Sequence, residues 1–166
     1  MKILINGRAG AGKDEVADYL VAEYGFKKLS FASKIYDIAR DIFGMRDKDR
    51  QLLQQIGQKL REIDPDVWVK HTFKEAAKYE KVVISDCRQE NEYKMGIKRG
   101  FYPVRVKADI STRKQRLIDR DGVNPRLELL ENKCETGADQ FKYYEIDNND
   151  DLKSLYSKID KLIQEL

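Results

Sequence analysis

Lys2-Ile3-Leu4-Ile5-Asn6-Gly7-Arg8-Ala9-Gly10-Ala11-Gly12-Lys13-Asp14-Glu15-Val16-Ala17-Asp18-Tyr19-Leu20 opens the chain, and its reading decides the fold. Residues 2–6 are a short apolar run suited to a strand. Over residues 13–24, Val16, Ala17, Leu20 and Val21 recur at helical spacing. Between strand and helix, Gly7 to Lys13 fit GxxxxGK, in the context a phosphate-binding P-loop requires. Glycines let the backbone curl until successive N–H groups face one concave nest. The helix N-terminus adds partial positive charge, and Lys13 has the length to reach the β- and γ-phosphates of a nucleotide. A glycine-rich turn that binds nothing is the alternative, and the flanking strand and helix argue against it. The pattern usually ends in Ser or Thr, whose hydroxyl ligates Mg²⁺. Here Asp14 follows the lysine, then Glu15. A carboxylate is also a hard oxygen ligand, so Asp14 is a candidate for the Mg²⁺ shell, with helix capping as the alternative.

Working outward, strand-like and helical stretches alternate. Residues 26–31 read as a second strand. A helix opens at Ser30-Phe31-Ala32-Ser33 and runs to about 43, where Gly44 closes it. Residues 49–59 and 67–78 are helical, separated by Ile63-Asp64-Pro65-Asp66, with Asp66 as the N-cap of the second. Residues 81–85 (KVVIS) form a buried strand, 90–99 a helix ending at Gly100, 102–107 a strand and 111–119 a helix. A short strand at 143–146 and a helix at 152–164, opened by Asp150-Asp151, complete the pattern. Such alternation predicts a parallel sheet wrapped by helices. Pro65, Pro103 and Pro125 are scattered and no repeat or linker is visible, so residues 1–166 are expected to form one domain.

Composition narrows the function classes. The chain has 166 residues, 41% hydrophobic and 37% charged, with 32 Lys+Arg against 29 Asp+Glu. The apolar content supports a real core and argues against disorder. No apolar run approaches the roughly 18 residues of a membrane span. The N-terminal run is too short for a signal peptide. Cys87 and Cys134 stand far apart, which fits neither a zinc site nor a disulfide framework and implies a reduced, intracellular protein. A pI near 8.7 is the only hint of nucleic-acid binding, and no groove-reading motif accompanies it.

In open parallel sheets, ligands bind beyond the carboxyl ends of the strands. KVVIS runs into Asp86-Cys87-Arg88-Gln89-Glu90-Asn91-Glu92. Asp86 has the form of a Walker-B carboxylate, and Arg88 offers a fork of donors suited to phosphate. An Asp–Arg pair capping a helix is the alternative. Arg113, Arg116 and Arg120 follow the fourth strand. They form either a solvated basic face or a set of cations closing over phosphates. Trp68 has the character of a core or hinge residue. His71, the single histidine, has no evident partner in chemistry.

Four segments carry a family resemblance: GRAGAGKDEVADYL at 7–20, LLQQIGQKLREIDPDVWV at 52–69, VVISDCRQENEYKMGIKRGFYPVRV at 82–106, and IDNNDDLKSLYSKIDKLI at 146–163. With them the chain resembles the P-loop nucleoside monophosphate kinase group, bacteriophage-type deoxynucleoside monophosphate kinases above all. The GKD ending and the Asp-x-Arg-x-x-Asn-Glu run at 86–92 are its distinctive parts. The resemblance implies an α/β, three-layer P-loop NTPase fold: a five-stranded parallel sheet flanked by helices, a helical acceptor-binding part at about 31–79, and a lid at about 109–139. It implies ATP-dependent phosphoryl transfer to a (deoxy)nucleoside monophosphate, giving the diphosphate and ADP. Gly7, Arg8, Ala9, Gly10, Ala11, Gly12, Lys13, Asp14 and Arg116 would then bind ATP. Lys34, Arg61, Trp68, Asp86 and Arg88 would bind the acceptor, and Asp14 and Asp86 would hold Mg²⁺. Lys13, Arg88, Arg116 and Arg120 would neutralise charge in the transfer. The implied partners are ATP and a nucleoside monophosphate, with no nucleic acid and no membrane, in the cytoplasm (a host's, if the source is a phage). A homodimer is compatible with this reading. Residues 123–139 match the family weakly. Animal-type phosphomevalonate kinases share the GKD loop, so a kinase of another phosphorylated metabolite is a rival expectation. A non-catalytic nucleotide-binding module is another.

Overall fold

β1 (Lys2–Asn6) is the central strand of a five-stranded, wholly parallel sheet in a computed structural model that describes residues 1–122 and 140–166. Pro125, Cys134 and residues 123–139 of the expected lid lie outside the described residues. The chain continues through α1 (Lys13–Tyr24), β2 (Lys27–Leu29), α2 (Ser33–Asp41), α3 (Arg50–Ile63), α4 (Val67–Ala76) and β3 (Val82–Cys87). Then come α5 (Glu90–Lys98), β4 (Tyr102–Lys107), α6 (Ile110–Asp121), β5 (Tyr144–Asp147) and α7 (Leu152–Glu165). The strand order is β2-β3-β1-β4-β5.

The alternation of side chains along a strand explains the layers. Ile3 and Ile5 face Val16, Ala17 and Leu20 of α1 and Leu155, Ile159 and Leu162 of α7. Leu4 faces the other way, onto Phe73, Ala76 and Phe101. A smaller cluster of Ile35, Ala39, Ile56 and Trp68 holds α2, α3 and α4 to one another. Because β3 and β4 flank β1 on opposite sides, the loops leaving all three strands share one edge, where open α/β sheets place their ligands.

Several boundaries move for identifiable reasons. β3 extends past Ser85 through Asp86 to Cys87, because Asn6 Nδ2 donates to the Cys87 carbonyl at 2.9 Å and keeps the two strand ends together. β2 stops at Leu29, where Ser30 turns toward Asp86. α3 is longer than expected, and Asp49 caps it by accepting from the Leu52 amide at 3.0 Å. Asp66 occupies the N-cap position of α4, but its carboxylate makes no capping bond there. It accepts from Asn91 Nδ2 at 2.8 Å and so ties α4 to α5.

Candidate active site

The loop between β1 and α1 is held from outside as well as by its own turns. Gly10 and Gly12 have positive φ, 78° and 94°, which favours glycine. Neither could carry a side chain in any case. A Cβ on Gly10 would lie 2.6 Å from the Arg113 carbonyl oxygen, and one on Gly12 would lie 2.2 Å from Asn148 Nδ2. The loop therefore packs directly on α6 and on the end of β5. Ala11 is buried, while Arg8 and Ala9 are half-buried. Lys13 folds back over its loop and donates from Nζ to the carbonyls of Gly7 at 2.5 Å and Arg8 at 3.1 Å.

The two candidate metal carboxylates differ. Asp14 makes no capping bond at the start of α1. It is exposed and pairs with Lys28 at 2.9 Å, a lysine that also reaches Asp18 at 3.0 Å. Asp86 points into the turn before α2. Its Oδ2 accepts from Ser30 Oγ at 2.8 Å and the Ala32 amide at 3.1 Å, and its Oδ1 accepts from the Phe31 amide at 2.8 Å. No cluster of three or more His, Cys, Asp or Glu suited to a metal occurs among the described residues. Asp14 and Asp86 are single carboxylates of the kind that Mg²⁺ takes together with substrate phosphates and water.

A cavity of about 540 Å³ opens between α2, α3 and the loop after β3. Phe31 and Leu53 give it apolar walls, and Arg61 and Arg88 face it. Neither guanidinium has a hydrogen-bond or ion-pair partner among the described residues. Gln54 and Gln58, one turn apart on α3, line the same space. Glu92 forms part of its floor, 4% exposed, and accepts from the amides of Arg88 at 2.7 Å and Gln89 at 2.9 Å. Burial pushes its carboxyl up to about 7, against the pull of those two amides. Glu92 was not among the residues singled out from sequence. A glutamate three residues after Gln89, at a helix start, was the available signal.

Two expected acceptor residues are elsewhere. Trp68 is 3% exposed in the cluster between α2, α3 and α4, and its indole N–H donates to the Gly57 carbonyl at 3.1 Å. It is a core residue, packed with Ile35, Ala39 and Ile56 where α2, α3 and α4 meet. Lys34 does not line the cavity; it approaches Asp37 on its own helix at 3.5 Å.

The arginine cluster divides. Arg113 is buried and donates from Nε to the Ala108 carbonyl at 3.1 Å. Arg116 reaches Asn148 Oδ1 at 3.5 Å, and its Nη1 is buried near Gly12 without a hydrogen-bond partner among the described residues. Arg120 is exposed and grips its neighbour Asp121 through two bonds of 2.7 and 2.8 Å. Sequence reading gave Asn148, Asn6 and Arg105 no role. Asn6 Oδ1 accepts from Arg105 Nε at 2.9 Å, and the Arg105 guanidinium stacks 4.1 Å above the Tyr143 ring. A second cavity of about 580 Å³, bounded by Gly7, Arg105 and Arg113, lies beside the loop. Cys87 is a buried free thiol whose pKa burial raises. No described helix is long and apolar enough to cross a membrane.

A glycine loop between β1 and α1, with a cation-lined cavity after β3 on the same sheet edge, defines a P-loop protein of kinase-type fold. The model of the AAA domain family matches residues 3–136, and the chain belongs to that family. Two curated relatives match parts of the chain. UPF0200 protein TV0279 of Thermoplasma volcanium is 26% identical over 121 residues, 72% of this chain. Uncharacterized protein ORF76 of Ictalurid herpesvirus 1 is 37% identical over 76 residues, 44% of this chain. The chain spans 66% and 32% of their lengths. Among solved structures, shikimate kinase from Bacteroides thetaiotaomicron superposes with a TM-score of 0.63 at 20% identity, covering 100% of this chain and 99% of that one. Deoxyadenosine kinase from M. mycoides with bound dATP does so with a TM-score of 0.57 at 14% identity, covering 99% and 100%. At these identities the likeness is one of fold.

Proposed function

We propose that this protein transfers the γ-phosphoryl group of ATP to the phosphate of a (deoxy)nucleoside monophosphate. The observation that carries the reading is the pair Arg61 and Arg88, two guanidinium groups without described partners in a cavity separate from the glycine loop. A site that only binds or hydrolyses ATP has no use for a second, cationic pocket. A phosphate-bearing acceptor does.

In the proposed reaction the acceptor's phosphate oxygen attacks the γ-phosphorus, the bond to the β-phosphate oxygen breaks, and ADP and the nucleoside diphosphate result. The loop amides and Lys13 hold the donor phosphates. Arg61 and Arg88 hold the acceptor phosphate, and Phe31 and Leu53 cover its base. The amides of Gln54 and Gln58 meet the polar edge of that base. Such transfer depends on positioning and charge neutralisation rather than on an unusual base. Asp14 and Asp86 would hold Mg²⁺, Asp86 through water because its oxygens already serve the α2 turn. The ion's contribution when bound is to neutralise charge on the β- and γ-oxygens.

The test is ADP release with Mg-ATP and a panel of ribo- and deoxynucleoside monophosphates, with phosphomevalonate alongside. Turnover on deoxynucleotides supports the reading. Turnover on phosphomevalonate alone moves the acceptor to another metabolite class, and ATP binding without any turnover reduces the protein to a nucleotide-binding module.

A further inference from the structure

We infer that Asn148 is a positioning residue of the donor site, aiming both the glycine loop and Arg116 at the ATP phosphates. The inference rests on the proposed use of that loop for ATP. Asn148 follows β5 directly and is 4% exposed. Its backbone amide donates to the Lys107 carbonyl at 2.8 Å, which continues the β4–β5 pairing and fixes where its side chain starts. From there Nδ2 donates to the Ala11 carbonyl at 2.8 Å, 137 residues away in sequence.

That bond has a directional consequence. In a trans peptide the carbonyl and the following N–H point to opposite sides, and the chain has no described cis peptide. Drawing the Ala11 carbonyl to Asn148 turns the Gly12 N–H away from Asn148. Gly12 is the residue whose Cβ would strike Asn148 Nδ2, so the contact also excludes any side chain there. The other end of the same amide, Oδ1, lies 3.5 Å from Arg116 Nη2. The remaining terminal nitrogen, Nη1, is buried beside Gly12 with no hydrogen-bond partner among the described residues. An unpaired buried guanidinium nitrogen is costly unless an anion meets it. One asparagine thus holds the loop at Ala11 with one end of its amide and meets Arg116 of α6 with the other.

Asn148→Asp separates the roles: it keeps an acceptor for Arg116 but sets an oxygen against the Ala11 carbonyl. The measurement is the KM for ATP and for the acceptor, together with the Kd of a fluorescent ATP analogue without acceptor. We expect at least about a tenfold rise in ATP KM and in that Kd, the scale of one charge-assisted hydrogen bond. Acceptor KM stays within about twofold. If Asn148→Asp does not fold, Asn148→Ser is read the same way, with thermal melting confirming the folded fraction. Unchanged ATP affinity in a folded variant overturns the inference, as does an equal rise in both KM values. A wild-type protein that binds no ATP overturns both the inference and the proposed function. A wild type that turns over normally beside an indifferent variant overturns the inference alone.

Discussion

Ser30 Oγ donates to Asp86 Oδ2 at 2.8 Å, joining the turn before α2 to the end of β3. With the Phe31 and Ala32 amides on the same carboxylate, Asp86 sets where the wall of the acceptor cavity begins. Asp86→Ala is expected to lower stability in urea unfolding by at least about 2 kcal/mol, since hydrogen bonds to a charged group are worth more than neutral ones. Acceptor KM should rise with it, because Phe31 loses its anchor. Asp86→Asn, which keeps one carbonyl acceptor, should recover part of both. A fully stable Asp86→Ala would mean that the turn holds without the carboxylate.

Lys13→Ala and Arg88→Ala are each expected to reduce turnover by at least about 10²-fold with the melting temperature preserved. The two should differ in kind. The Lys13 variant loses affinity for the donor, the Arg88 variant for the acceptor. Steady-state kinetics with each substrate varied in turn separates them, and near-normal turnover in either removes its assigned role.

Trp68→Phe tests the difference between a core residue and a stacking platform. Losing the indole N–H removes one hydrogen bond from the Gly57 carbonyl, which α3 still pairs along the helix, at about 0.5–1.5 kcal/mol. Acceptor KM is expected to stay within about twofold. A large KM change without loss of stability would return Trp68 to the acceptor site.

Arg116→Ala and Arg120→Ala are expected to diverge although the two residues are one helical turn apart. Arg116 carries the unpaired nitrogen beside Gly12, and its loss should raise ATP KM about tenfold. Arg120 is exposed and bound to Asp121, so its loss should change ATP KM less than about threefold. Equal effects would show that both reach the phosphates during turnover.

Glu92 gives a pH dependence with a definite sign. Its carboxyl, near 7 in the fold, lies above the ordinary 4.5, because burial disfavours the charge. Between those values the native state holds a proton that the unfolded chain has released. The stability this confers is full below pH 4.5 and is lost as pH rises through 7. Glu92→Gln keeps a carbonyl for the Arg88 and Gln89 amides and removes the titration. It should match wild type near pH 4.5 and exceed it near pH 8 by up to about 3 kcal/mol, read by urea unfolding across that range. Parallel pH profiles for the two proteins would refute this.

Much of the molecule is legible in the chain itself. Periodicity marked every described strand and helix, and the parallel sheet followed from their alternation. The glycine loop was equally plain, because turn geometry and helix start are encoded by neighbours in the chain. Two departures from the expected ends have a long-range cause. Residues at element ends answered to distant partners: Cys87 to Asn6, Asp66 to Asn91.

By itself, then, the sequence determined the β-loop-α phosphate nest, the strand–helix alternation and the stock of cations available for phosphate. Those are local properties, set by spacing, glycine placement and side-chain type. Only the tertiary structure decided which candidates are committed and which are open. It committed Arg120 to Asp121 and Trp68 to the helical core, and it left Arg61 and Arg88 facing a cavity. It also brought Asn148 against Ala11 across 137 residues and buried Glu92 beneath Arg88. The free energy of a polar group depends on the solvent and partners that packing leaves it, and those are settled by residues far away along the chain.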